Sequence, residues 1–200
     1  MVTKNEIEIK SLTDDLMLKG LVYIPEEPKA IVQIIHGMAE HKERYDMLAN
    51  VLANYGYVVV IADNRGHGGS INKKIPLGYF AAENGWLTNL QDIHEFTVKI
   101  KEEYRNLPFF VIGHSMGSLI GHSYLKRYED ELSGIVFSGM PAYNNATGAG
   151  MMMAKVIGKF KGKKYVSRKM VEMSDYNKTI TNPRTACDWL SYNTDNVDAY

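Results

Sequence analysis

Phe109-Phe110-Val111-Ile112-Gly113-His114-Ser115-Met116-Gly117-Ser118 (FFVIGHSMGS) decides how this chain folds. Residues 109–112 are an apolar run of strand length, and residues 119–128 resume a helical pattern with Lys126 and Arg127 in the last turn, where the helix dipole favours cations. Between them stands G-x-S-x-G, with Gly113 two residues before Ser115 and Gly117 two after. A strand that turns this sharply into a helix needs residues without a Cβ to clash. Ser115 is then held out from the backbone at the carboxyl end of the sheet. The plainer alternative is a tight strand-to-helix turn in which the Ser115 hydroxyl only caps the helix.

Outward from this turn the pattern is regular, with short β-rich runs alternating with helical ones from residue 5 to about 140. That is the α/β class, a mostly parallel sheet with flanking crossover helices. Residues 7–9 and 18–24 read as an opening pair of strands, 30–35 (AIVQII) and 57–62 (YVVVIA) as buried strands, and 134–138 as a further short one. Tyr45, Leu48, Leu52 and Tyr55 share one face of a first helix, closed by Gly56 at the C-terminal cap position. Thr88-Asn89-Leu90-Gln91 fits a capping box, after which Leu90, Ile93, Thr97, Ile100 and Tyr104 line a second helix. Residues 63–85 form a glycine-bearing loop long enough to be functional. Beyond Pro141 the strand pattern stops, and a Gly-, Met- and Lys-rich segment reads as a helical insertion, with further helix starts near Ser174 and at Asn182-Pro183.

Composition removes several classes of function. Lys plus Arg (23) balances Asp plus Glu (23), so no global field favours nucleic acid. The single Cys187 forms no intrachain disulfide, and the polar N-terminal residues lack the apolar core of a signal peptide, which fits a cytoplasmic setting. No apolar run approaches the roughly 20 residues that span a bilayer. Peripheral contact with a membrane stays open, and oligomeric state is not readable. Six histidines (36, 41, 67, 94, 114 and 122) have no carboxylate or cysteine cluster around them, so no metal and no cofactor are expected; His36, His41 and His67 read as loop histidines.

HGMAEH (36–41), DNRGHGGS (63–70) and GHSMGS (113–118) together resemble the monoacylglycerol lipase and lysophospholipase group of α/β hydrolases, also named with the S33 serine aminopeptidases. The resemblance covers nearly the whole chain, most closely residues 30–141. It implies an α/β-hydrolase core at residues 1–140 and the start of a helical cap at 141–200, with the C-terminal strands missing. It further implies a serine hydrolase acting on a small-molecule lipid or ester such as a monoacylglycerol or lysophospholipid. Ser115 would be the nucleophile, Gly113 and Gly117 the elbow glycines, and the backbone N–H groups of Met38 and Met116 the oxyanion donors. The Met and Tyr residues of the cap would either line the acyl-chain side of the site or pack the cap onto the body.

In this fold the triad runs Ser, then acid, then His along the chain. No histidine follows His122, which lies about two helical turns, roughly 10 Å, from Ser115 and cannot serve as base. Asp175, Asp188, Asp195 and Asp198 therefore stay unassigned, and the triad acid and base are expected beyond residue 200. Taken alone, the chain is then inactive. A rival reading is a non-catalytic ligand-binding protein on the same fold.

Overall fold

The computed structural model describes residues 1–142, 147–167 and 176–200. The chain divides into two compact units, Met1–Ala142 and Tyr143–Tyr200.

The first unit is built on a six-stranded sheet of β1 (Thr3–Lys10), β2 (Met17–Ile24), β3 (Ala30–Ile35), β4 (Tyr57–Ala62), β5 (Phe109–His114) and β6 (Gly134–Ser138), in the order β1-β2-β4-β3-β5-β6. The β1–β2 and β2–β4 pairs are antiparallel, and the β3–β4, β3–β5 and β5–β6 pairs are parallel. Parallel neighbours need crossovers, supplied here by α1 (Asp46–Asn54), α2 (Gly85–Glu103) and α3 (Met116–Tyr128). Five of the strands fall on the runs read as strands in the sequence, and β1 extends the short reading at 7–9 to Thr3–Lys10.

The two faces of β4 show how the core is divided. Val58, Val60 and Ala62 pack with Leu90, Ile93, Phe96 and Ile100 of α2 and with Ile120 and Tyr124 of α3. Val59 and Ile61 pack on the opposite side with Ala49 and Ala53 of α1. With both faces covered, a central strand carries no polar alternation. One polar residue, Gln33, enters the α2 face fully satisfied: its amide donates to Ile93 O (2.9 Å) and accepts from Thr97 Oγ1 (2.6 Å), which in turn accepts from the Tyr124 hydroxyl (2.9 Å).

Two local readings are corrected. In α1 the fully buried residues are Ala49 and Ala53, not the Tyr45–Leu48–Leu52–Tyr55 stripe; Leu48 and Tyr55 are exposed, because small side chains bring the helix close to the sheet. In α2 the helix begins at Gly85, one turn before the expected capping box. Thr88 already lies inside it, bonding back to Asn84 O, and the cap residue Asn84 adopts φ +49 with no side-chain cap bond.

In the second unit, α4 (Thr147–Lys161) occupies the Met-rich segment and α5 (Thr194–Ala199) is capped by the Asn193 side chain, which accepts from Asp195 N (2.9 Å). The helix start expected near Ser174 lies outside the described residues. None begins at Asn182-Pro183; Asn182 adopts φ +54 and the chain turns there.

The loop after β4 is locked by Arg65, whose side chain is wholly buried. Its guanidinium donates to Asp92 Oδ2 on α2 (2.7 Å), Asp14 Oδ2 (3.0 Å), Phe80 O (2.8 Å) and Ser11 Oγ (3.2 Å). A planar fork with this many acceptors is not replaceable by a single ammonium. We expect Arg65→Lys to lower the unfolding free energy by about 2 kcal/mol, the cost of leaving buried acceptors such as Phe80 O without their donor, measured by urea denaturation.

Candidate active site

Ser115 adopts φ +52 and ψ −118, a region that residues with a Cβ occupy only under constraint. It stands at the N-terminus of α3 yet makes no side-chain cap bond, which removes the reading of Ser115 as a simple helix cap. Its backbone is held instead: Ser115 N–H donates to Ser138 O at the end of β6 (2.9 Å), and Ser118 N–H donates to Ser115 O (2.9 Å). The buried Ser118 hydroxyl lies between Gly113 O (2.8 Å) and Ser138 O (2.9 Å), tying both strand ends to the turn.

The glycines act by close approach. A methyl group on Gly117 would lie 2.0 Å from Ile35 O, and one on Gly113 would lie 2.4 Å from Gly117 O. The first contact presses the elbow against the end of β3, where the chain enters Gly37-Met38. There a methyl group on Gly37 would lie 3.2 Å from Ser115 Cβ. The turn carrying Met38 and the turn carrying Ser115 and Met116 are thus neighbours.

The Gly37 turn is fixed by Glu40, a buried carboxylate that the sequence reading did not single out. Its Oε2 accepts from Gly37 N–H (2.8 Å) and from the Tyr45 hydroxyl (2.7 Å), while Oε1 lies 3.2 Å from Arg44 Nε and 3.8 Å from His114 Nε2. Burial and the Glu40 charge push the Tyr45 hydroxyl far above its ordinary pKa. The available signal was an acid three residues beyond a strand-ending glycine, a spacing that lets a carboxylate reach back to that glycine's N–H. Ala39, at φ +58, completes the turn.

His36 and His67 are loop histidines, as expected. His36 Nε2 accepts from Asn64 N–H (2.9 Å) and its Nδ1 bonds Gly37 O (2.7 Å), so both ring nitrogens are engaged. Its ring meets that of His67 edge-on at 5.3 Å. Asp63, also buried, ties its own motif to the residue that follows HGMAEH by accepting from Lys42 N–H (2.7 Å), Lys42 Nζ (2.9 Å) and Gly69 N–H (2.8 Å). His41 is different, exposed and paired with Glu43. Among the described residues no histidine bonds Ser115 Oγ, and none of the His, Cys, Asp and Glu side chains group as metal ligands.

A serine at a strained strand-to-helix turn, in a sheet of this order and sense, defines an α/β hydrolase. The model of the family described as Serine aminopeptidase, S33 matches residues 26–200, and the chain belongs to that family. It is similar to the monoacylglycerol lipase of Mycolicibacterium smegmatis, 34% identical over 149 residues, which are 69% of this chain and 48% of that protein. Phospholipase YtpA of Bacillus subtilis is 31% identical over 116 residues, 56% of this chain and 41% of that one. Among solved structures, a thermostable carboxyl esterase from Bacillus coagulans in complex with glycerol superposes with a TM-score of 0.85 at 29% identity, covering 98% of this chain and 64% of the esterase. The chain therefore spans about half the length of these two sequence relatives and under two thirds of the esterase.

Two measurements probe this geometry. Gly117→Ala forces a Cβ onto the Ile35 carbonyl, and urea denaturation should show a loss of about 3 kcal/mol, the upper end for overpacking. Burial lowers the His36 pKa to about 4 from its ordinary 6.5. The unfolded chain then binds the proton more tightly, so the stability from neutral His36 is complete above pH 6.5 and is lost as pH falls toward 4. Urea midpoints across this window should fall with pH, and more shallowly in His36→Asn.

Proposed function

We propose that this chain supplies the nucleophile and oxyanion donors of a serine hydrolase that cleaves carboxylic esters, with monoacylglycerols or lysophospholipids as the substrate class. The carrying observation is the strained, uncapped backbone of Ser115 beside the Gly37 turn. The relatives named as lipase, phospholipase and esterase support ester chemistry.

In this reading Ser115 Oγ attacks the ester carbonyl carbon as a histidine base takes its proton. The tetrahedral oxyanion is held by the backbone N–H groups of Met38 and Met116, each worth about 3 kcal/mol in the transition state. Collapse expels the alcohol, which takes the proton back, and leaves an acyl-enzyme on Ser115 that water hydrolyses. Gly113 and Gly117 hold the elbow. Residues 141–200 form a cap whose methionines suit a flexible acyl chain.

The acid and base of the triad come, in this proposal, from residues other than these 200. His36 has both nitrogens engaged. Asp188 accepts from Thr185 and Arg184 N–H groups, and Asp198 pairs with Arg184 (2.6 Å), so both carboxylates have other work.

The 200-residue chain should therefore turn over p-nitrophenyl esters at the background rate, with Ser115→Ala no slower. Robust Ser115-dependent turnover by it would refute the placement of the base. A chain extended past residue 200 by an in-frame aspartate and a later histidine should be labelled on Ser115 by a fluorophosphonate. Failure of that label would favour the second reading, a non-catalytic ligand-binding protein on the same fold.

A further inference from the structure

The turn that carries Met38 does not hold its shape by backbone preference alone. Ala39 stands at φ +58, a left-handed conformation that a residue with a Cβ keeps only where its surroundings enforce it. Gly37 before it has the widest conformational freedom of any residue, so the peptide plane that follows is fixed only by contacts. Two side chains supply them. Glu40 Oε2 accepts from Gly37 N–H (2.8 Å), and His36 Nδ1 bonds Gly37 O (2.7 Å).

The tautomer of His36 follows from its other contact. Its Nε2 accepts from the main-chain N–H of Asn64 (2.9 Å), so the proton of the neutral ring sits on Nδ1 and is donated to Gly37 O. The carbonyl and N–H of a trans peptide point to opposite sides, so turning Gly37 O toward His36 turns Met38 N–H away from it. Among the described residues no acceptor takes this N–H.

Glu40 is itself held. It is 8% exposed, its Oε2 also accepts from the Tyr45 hydroxyl (2.7 Å), and Arg44 Nε lies 3.2 Å from Oε1. These donors offset a negative charge that would otherwise oppose an oxyanion forming nearby. Tyr45 leads into α1 and packs on the core beneath it, which ties the turn to a rigid element.

We propose that Glu40 is a positioning residue for ester cleavage: by holding Gly37 N–H while His36 holds Gly37 O, it aims Met38 N–H at the oxyanion formed when Ser115 attacks. The inference rests on the hydrolase reading of Ser115 and adds to it a residue that touches no substrate. Its force is angular, because a hydrogen bond weakens steeply once the donor is misdirected.

Two measurements test this. In the 200-residue protein, amide hydrogen exchange followed by NMR should find Gly37 protected, and exchanging about tenfold or more faster in Glu40→Ala, the equivalent of one hydrogen bond, while the amides of β3 keep their rates. In the protein extended past residue 200, Glu40→Ala should lower kcat about tenfold or more and leave KM nearly unchanged, part of the roughly hundred- to thousandfold that loss of an oxyanion donor costs. Glu40→Gln keeps an oxygen acceptor for Gly37 N–H and the Tyr45 hydroxyl, so it should recover most of kcat and keep Gly37 exchange slow. Unchanged Gly37 exchange in Glu40→Ala, a loss carried by KM, or Glu40→Gln as impaired as Glu40→Ala would overturn the proposal. So would a lower urea midpoint with unchanged kcat, which reduces Glu40 to a structural role. An extended wild-type protein without Ser115-dependent turnover refutes the hydrolase reading and the catalytic use of the clamp with it, and the exchange rates then still decide whether Glu40 holds Gly37.

Discussion

The contact on which the first unit depends is the approach of Gly117 to the Ile35 carbonyl. Strand β5 pairs with β3 in parallel, so the two strand ends lie side by side, and the helix leaving β5 must pass directly over the end of β3. Only a residue without a Cβ permits that passage. Ser115 is pressed into a left-handed backbone by the same geometry, and the Gly37 turn is brought against it. Strain at the serine and proximity of the two turns are thus one packing event, stabilised by the sheet beneath.

Much of this was legible in the sequence because it depends on backbone sterics and apolar periodicity. Five strands and the elbow were read from apolar runs and from two glycines around Ser115, and the mostly polar β1 was read only at residues 7–9. What escaped depends on which of several equivalent groups finds a partner. Glu40 is one acid among many until the turn carries its carboxylate to Gly37 N–H and the Tyr45 hydroxyl. Tyr45 itself fitted a helical stripe, but its hydroxyl had a stronger claim elsewhere. Helix α1 was misread for a related reason: periodicity counts large apolar residues, whereas close helix–sheet contact selected Ala49 and Ala53. The capping box failed because Thr88-Asn89-Leu90-Gln91 is equally compatible with the first turn of a helix that starts earlier.

Polar residues hold the loops around the serine, and nearly all of them are buried. Asp63 joins the loop after β3 to the loop after β4, His36 bonds the backbone at Asn64, and Glu40 anchors the Gly37 turn. Each is held by backbone groups together with a neighbouring hydroxyl or cation, so the loops keep fixed shapes without regular secondary structure. Strands accept any apolar residue of suitable size, but a buried carboxylate such as Glu40 or Asp63 needs its own donors.

The buried guanidinium of Arg65 has a consequence for how the protein is made. The side-chain and carbonyl acceptors it binds lie within residues 11–92, on the β1–β2 turn, the loop after β4 and the first half of α2. A ribosome delivers all of them before it delivers β5. Every group that locks the loop after β4 is therefore on the growing chain before the residues of the strained elbow are added.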